Sequence, residues 1–117
     1  MRAIYFERHA QSPIHIHAGS YTQGVYVPDE RVVLFKEQHG TFGGNTVSLT
    51  DRQEFLDEMR PLLEGKTPNV NGVTYSGIKE LEYDGTRLKE LIQNARLEIE
   101  LKDKVESGID ALLDEAK

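Results

Sequence analysis

The run from Arg87 to Glu115 sets the tightest limit on how this chain can fold. Leu88, Ile92, Ala95 and Ile99 recur at spacings of four, three and four, the period of one helical face. Leu91, Leu101, Val105, Ile109, Leu112 and Leu113 extend the apolar side, and Thr86 stands where it can cap the start. As one straight helix this run would be about 44 Å long. The chain has 117 residues, and a compact domain of that size is only about 35 Å across. The helix must therefore break, with Ser107-Gly108 the natural place, or its far end must pack on something else. A continuous heptad seam would need apolar residues where Lys102 and Glu106 stand, which rules out a long two-stranded coiled coil. Two arrangements remain: a helix pair joined near Gly108, and a dimer contact through Leu112 and Leu113. The expected partner on this reading is a second copy of the chain, docked through its C-terminal helix.

Upstream, the pattern is that of a sheet. Ala3–Glu7 is short and rich in β-branched and aromatic residues, and Ile14–His17 alternates strictly. Tyr21–Val27 and Arg31–Lys36 flank Pro28-Asp29-Glu30, whose proline suits the second position of a type I turn. Val32-Val33-Leu34-Phe35 lacks alternation, as expected of a strand buried on both faces. Thr46–Leu49 reads as one more short strand. Thr50 and Gln53 have capping-box spacing for a helix over 51–64, loosened at Pro61 and closed by Gly65. Asn71-Gly72 between Val70 and Val73 predicts a further hairpin over 70–83. The expected fold is α+β, a single domain over 1–117. It comprises an antiparallel β-sheet from the N-terminal half plus that central hairpin, with helices at about 51–64 and 87–115.

Charge divides the chain. Four of its 20 acids and four of its 14 bases fall in residues 1–50, so the whole net charge of −6 belongs to residues 51–117. No dense Lys/Arg run exists to displace counterions, which argues against duplex nucleic acid as a partner. The acidic, helical half can meet a basic protein or simply water. The absence of cysteine excludes disulfides, thiolate metal sites and a cysteine nucleophile. No apolar stretch approaches a membrane span, and the N-terminus carries no apolar signal run, so the expected location is cytoplasmic.

Three groups of residues invite chemistry. His15 and His17 point the same way on a strand, the spacing at which two imidazoles share a metal ion, with His9 or Glu7 as further ligands from a paired strand. The same histidines permit general acid–base work on a phosphodiester, steadied by Arg2, Arg8 or Arg31. The loop His39-Gly40-Thr41-Phe42-Gly43-Gly44-Asn45 lacks the endings of a P-loop or a dinucleotide fingerprint, but it offers Phe42 as an aromatic for stacking. Tyr21, Tyr26, Tyr75 and Tyr83, with Arg87, Asn94 and Arg96, can line a polar cleft for a nucleotide-like ligand. Because no catalytic motif is present, the leading expectation is a non-catalytic binding or inhibitor protein, homo-oligomeric and without a cofactor. It would sequester a small polar ligand through Tyr21, Tyr26, Phe42, Tyr83, Arg87, Asn94 and Arg96, or block a partner protein. In size and charge it is like the small acidic inhibitors of phages and mobile elements. A His-dependent phosphodiesterase-type or metal-binding enzyme is the alternative, and a structural subunit the second.

Overall fold

A computed structural model of the chain describes residues 1–10, 19–39, 44–97 and 102–117. Five strands form one antiparallel sheet: β1 (Arg2–Ala10), β2 (Ser20–Val27), β3 (Val32–His39), β4 (Asn45–Thr50) and β5 (Val73–Glu82). Their order across the sheet is β4-β3-β2-β1-β5. Helix α1 (Gln53–Met59) covers one face. Helices α2 (Gly85–Leu97) and α3 (Lys102–Ala116) cover the other. The expected Ile14–His17 strand lies outside the described residues.

Alternation along the three inner strands supplies both cores. Ala3, Tyr5, Val25, Val27, Val32 and Leu34 point toward α2 and α3, where they meet Leu88, Ile92, Ile109, Leu112 and Leu113. Ile4, Phe6, Tyr26 and Val33 point the opposite way, toward Leu56, Met59 and Leu62. The unbroken apolar run in β3 is thus buried on both sides, as a central strand must be. The β2–β3 connection is a 3-10 turn over Pro28–Glu30, closed by Arg31 in the left-handed region at φ 53°.

The long C-terminal run does bend, though not at the residues that look weakest. It is two helices, and Gly108 lies inside the second. A Cβ at Gly108 would sit 2.7 Å from Leu91 Cδ1, so this glycine lets α3 close on α2 instead of ending a helix. Leu112 and Leu113, 0% and 2% exposed, are spent in the chain's own core and are not available to a second copy. The protein measures 42 Å in its longest dimension, shorter than the rod those residues would form unbroken.

Two caps also differ from expectation. The Thr50–Gln53 capping box does not form, because Thr50 is still the last residue of β4. Its hydroxyl accepts from Arg52 N instead, and α1 begins without a side-chain cap. Pro61 shifts the end of that helix into a 3-10 segment, Arg60–Glu64, which Gly65 ends at φ 71°. At α2 the cap is Asp84, whose carboxylate accepts from Thr86 N at 2.9 Å, rather than Thr86 itself.

The hairpin expected over 70–83 is half present. Val73 N donates to Val70 O across Asn71-Gly72, so the turn forms. Residues 66–70 are not a strand, and Pro68, which has no N–H, is buried there. β5 therefore pairs with β1, far away in sequence, with a bulge between Tyr5 and Glu7 where Gly77 takes φ 63°. Among the described residues, no helix is long and apolar enough to cross a membrane.

Candidate functional site

The α2–α3 layer covers only part of its sheet face. Beyond Ala3 and Tyr5, the same side of β1 continues with Glu7 and then His9, directly opposite Gln23 and Tyr21 of β2. This polar floor runs toward the end of the sheet formed by Ala10, Ser20 and His39. The Tyr5 hydroxyl donates to Glu7 Oε2 at 2.8 Å, and Gln23 Nε2 donates to that hydroxyl at 3.4 Å. The Tyr21 phenol lies close enough to the same carboxylate to feel its charge. The exposed His9 ring lies 4.5 Å from the Tyr21 ring, tilted by 40°. Two lysines tie the floor to the helix above. Lys36 Nζ is 3.5 Å from Asp110 Oδ1, and Lys79 Nζ donates to Ala116 O at the end of α3.

The chemistry of this floor is that of holding protons. Burial first, and then the hydrogen bond to Glu7, pushes the Tyr5 phenol well above the ordinary phenol range, and Tyr21 is raised by burial first and then by the charge of Glu7. Both are neutral donors at physiological pH. They cannot act as bases there, and Gln23 donates to the Tyr5 hydroxyl and not to the carboxylate.

Tyr26, Tyr75 and Tyr83 are raised as well, burial again being the first cause, so all five tyrosines share the trend. A group whose folded pKa is raised contributes stability that is complete below its unfolded pKa, about 10 for phenol, and lost as pH climbs through the folded value. In a spectrophotometric titration, the phenolate signal of the native protein will lag behind that of the urea-unfolded chain. The urea midpoint will fall above about pH 10. Coincident native and unfolded titrations would remove this picture of the tyrosines.

The residues proposed from sequence do not gather into one cleft. Tyr21 is on the polar floor. Tyr26 has the opposite parity and is buried in the α1-side core. Tyr75 is in that core too, and its hydroxyl donates to Glu58 beside Arg8. Tyr83 packs against the other core with its hydroxyl on Leu112 O at 2.9 Å. Arg87 and Asn94 do come together, in a groove of about 230 Å³ between α2 and α3 that Leu91, Lys104 and Gly108 also line. Arg87 is already engaged there by Glu115, at 2.6 and 3.0 Å. The groove is smaller than the roughly 300 Å³ at which ligand pockets begin. Arg96 is exposed on α2. Phe42, His15 and His17 lie outside the described residues. Among the described residues, no group of three or more His, Asp or Glu side chains is placed to hold a metal ion.

Sequence reasoning offers Glu7 and His9 only as further metal ligands and does not single out Tyr5 or Gln23. Their signal is parity: Glu7 and His9 interrupt the apolar face begun by Ala3 and Tyr5. That becomes readable only when β1 is known to run on to Ala10. Comparison with protein-family models, with curated proteins and with solved structures finds no match.

Proposed function

We propose that this protein is a non-catalytic binding protein for a small, flat, polar ligand, taken on the floor formed by Glu7, His9, Tyr21 and Gln23. The observation that carries the reading is one half-buried carboxylate that accepts from the Tyr5 phenol, beside the ring pair of exposed His9 and half-buried Tyr21. A carboxylate accepts about four hydrogen bonds, and the Tyr5 phenol takes one, which leaves most of that capacity for a ligand. Adjacent N–H donors on a heterocycle, as on the edge of guanine, suit that capacity. The His9–Tyr21 pair offers a ring surface on which such a heterocycle can stack.

The partner-blocking alternative needs an unbroken acidic face. Many carboxylates of the acidic half are interleaved with bases: Glu58 with Arg8, Asp57 with Arg60, Glu64 with Lys66, Glu80 with Arg2, Asp110 with Lys36, and Glu115 with Arg87. Such local pairing weakens the field that a basic partner would feel, which favours the ligand reading. Native mass spectrometry of protein isolated from its own cells tests it. A bound small-molecule mass present in the wild type and missing after Glu7→Gln supports the proposal. An unliganded wild type that instead retains a basic protein, released by salt, refutes it.

A further inference from the structure

The two edges of the sheet are built differently. β5 carries the Gly77 bulge, exposed Lys79, Glu80 and Glu82, and a register break against β1. Bulges and charges of this kind stop a second strand from adding to an edge. β4, Asn-Thr-Val-Ser-Leu-Thr, has no charge, no proline and no bulge. It pairs with β3 without interruption from Gln38↔Asn45 to Val33↔Thr50. Its two apolar residues, Val47 and Leu49, pack against the α2–α3 core yet stay only half-buried. In a chain of net charge −6, an uncharged edge is also the surface on which two copies repel each other least.

We propose that β4 is a docking edge for a second copy of this chain, the two β4 strands pairing antiparallel about a two-fold axis at Ser48. An axis perpendicular to the sheet keeps each face on its own side, so opposed residues must share a face. In this register Val47 meets the partner's Leu49 on the helix-bearing face. On the other face Ser48 meets the partner's Ser48, and Thr46 meets the partner's Thr50. Apolar side chains oppose apolar ones and hydroxyls oppose hydroxyls, a self-complementarity that an isologous contact requires. Because the β5 edges are blocked, the assembly closes at two copies and does not grow into a filament. This replaces the C-terminal helix as the expected interface, since Leu112 and Leu113 are buried.

Light scattering on the intact protein across a concentration series tests the proposal. The wild type should approach twice the chain mass. Ser48→Lys and Ser48→Glu should each show a twofold lower mass, because like charges then face one another across the axis, and an equimolar mixture of the two should recover the dimer. Amide exchange needs no variant: protection of residues 45–50 should rise with protein concentration. A wild type that stays monomeric with concentration-independent exchange overturns the proposal and leaves an extended peptide of another protein as the occupant of this edge. Dimers that survive both substitutions also overturn it.

Discussion

Replacing Phe6 with alanine will cost about 4 kcal/mol of folding stability, within the usual range for emptying a buried aromatic site. Phe6 is fully buried at the centre of the α1-side core, with its ring 5.9 Å from that of Tyr75. It lies flat across the neighbouring strand because residue 24 has no side chain. A Cβ at Gly24 would be 2.4 Å from Phe6 Cζ and 2.7 Å from Cε1. Gly24→Ala alone is therefore an overpacking change costing about 1–3 kcal/mol, since a ring in a closed core cannot step aside. In the Phe6→Ala background the ring is gone, so Gly24→Ala should cost little. Urea denaturation of the four proteins gives the cycle, with an expected coupling of roughly 1 kcal/mol or more. Strictly additive effects would mean that the ring does not rest on Gly24.

Glu58→Ala is expected to cost about 3 kcal/mol. Glu58 links α1 to β1 by a two-point pairing with Arg8, Nε to Oε2 at 2.7 Å and Nη2 to Oε1 at 3.3 Å, and it also accepts from the Tyr75 hydroxyl. The guanidinium lies 5.6 Å from the centre of the Phe55 ring. Side-chain exposures of 17% and 16% place the pair under cover but not in a dry interior, so the low end of the buried-pair range applies. Removing one member leaves the other charge poorly solvated. The double replacement Arg8→Met with Glu58→Leu leaves no charge stranded and should recover most of the loss. For a domain of this size the single substitution should lower Tm by roughly 12 °C. A double variant no more stable than Glu58→Ala would show that the pair stabilises by its own attraction.

Local chemistry made much of this legible. Pro28-Asp29-Glu30 between two apolar runs specifies a turn and, with it, the β2–β3 register. Val32 to Phe35 without alternation specifies a strand covered on both sides. A repeat longer than the domain is wide specifies a bend. What stayed hidden depends on partners remote in the chain. Asn71-Gly72 makes its turn, but no local signal says that Val73–Glu82 will pair with residues 2–10 rather than with what precedes the turn. Gly108 has the composition of a helix end, and only the presence of Leu91 across the helix pair explains why it lies inside one. The site was obscured for the same reason. Tyr21 stands out as a ligand contact and Glu7 and His9 as metal ligands, but that they share a floor with Tyr5 and Gln23 depends on two strands whose facing parity exists only once those strands pair. Tyr26 and Tyr75 are as aromatic as Tyr21, and parity sends both to the opposite face.

The floor can be tested most directly by NMR titration of guanosine, a flat ring bearing adjacent N–H donors, into the wild type and into Glu7→Gln. Saturable shifts centred on His9, Tyr21 and Gln23 are expected. Affinity should fall roughly ten- to a hundredfold in the variant, as befits a charge-assisted hydrogen bond of about 1.5–3 kcal/mol. Shifts centred instead on Arg87 and Asn94 in the α2–α3 groove, or binding equal in the two proteins, would contradict the assignment of Glu7 as the ligand's acceptor.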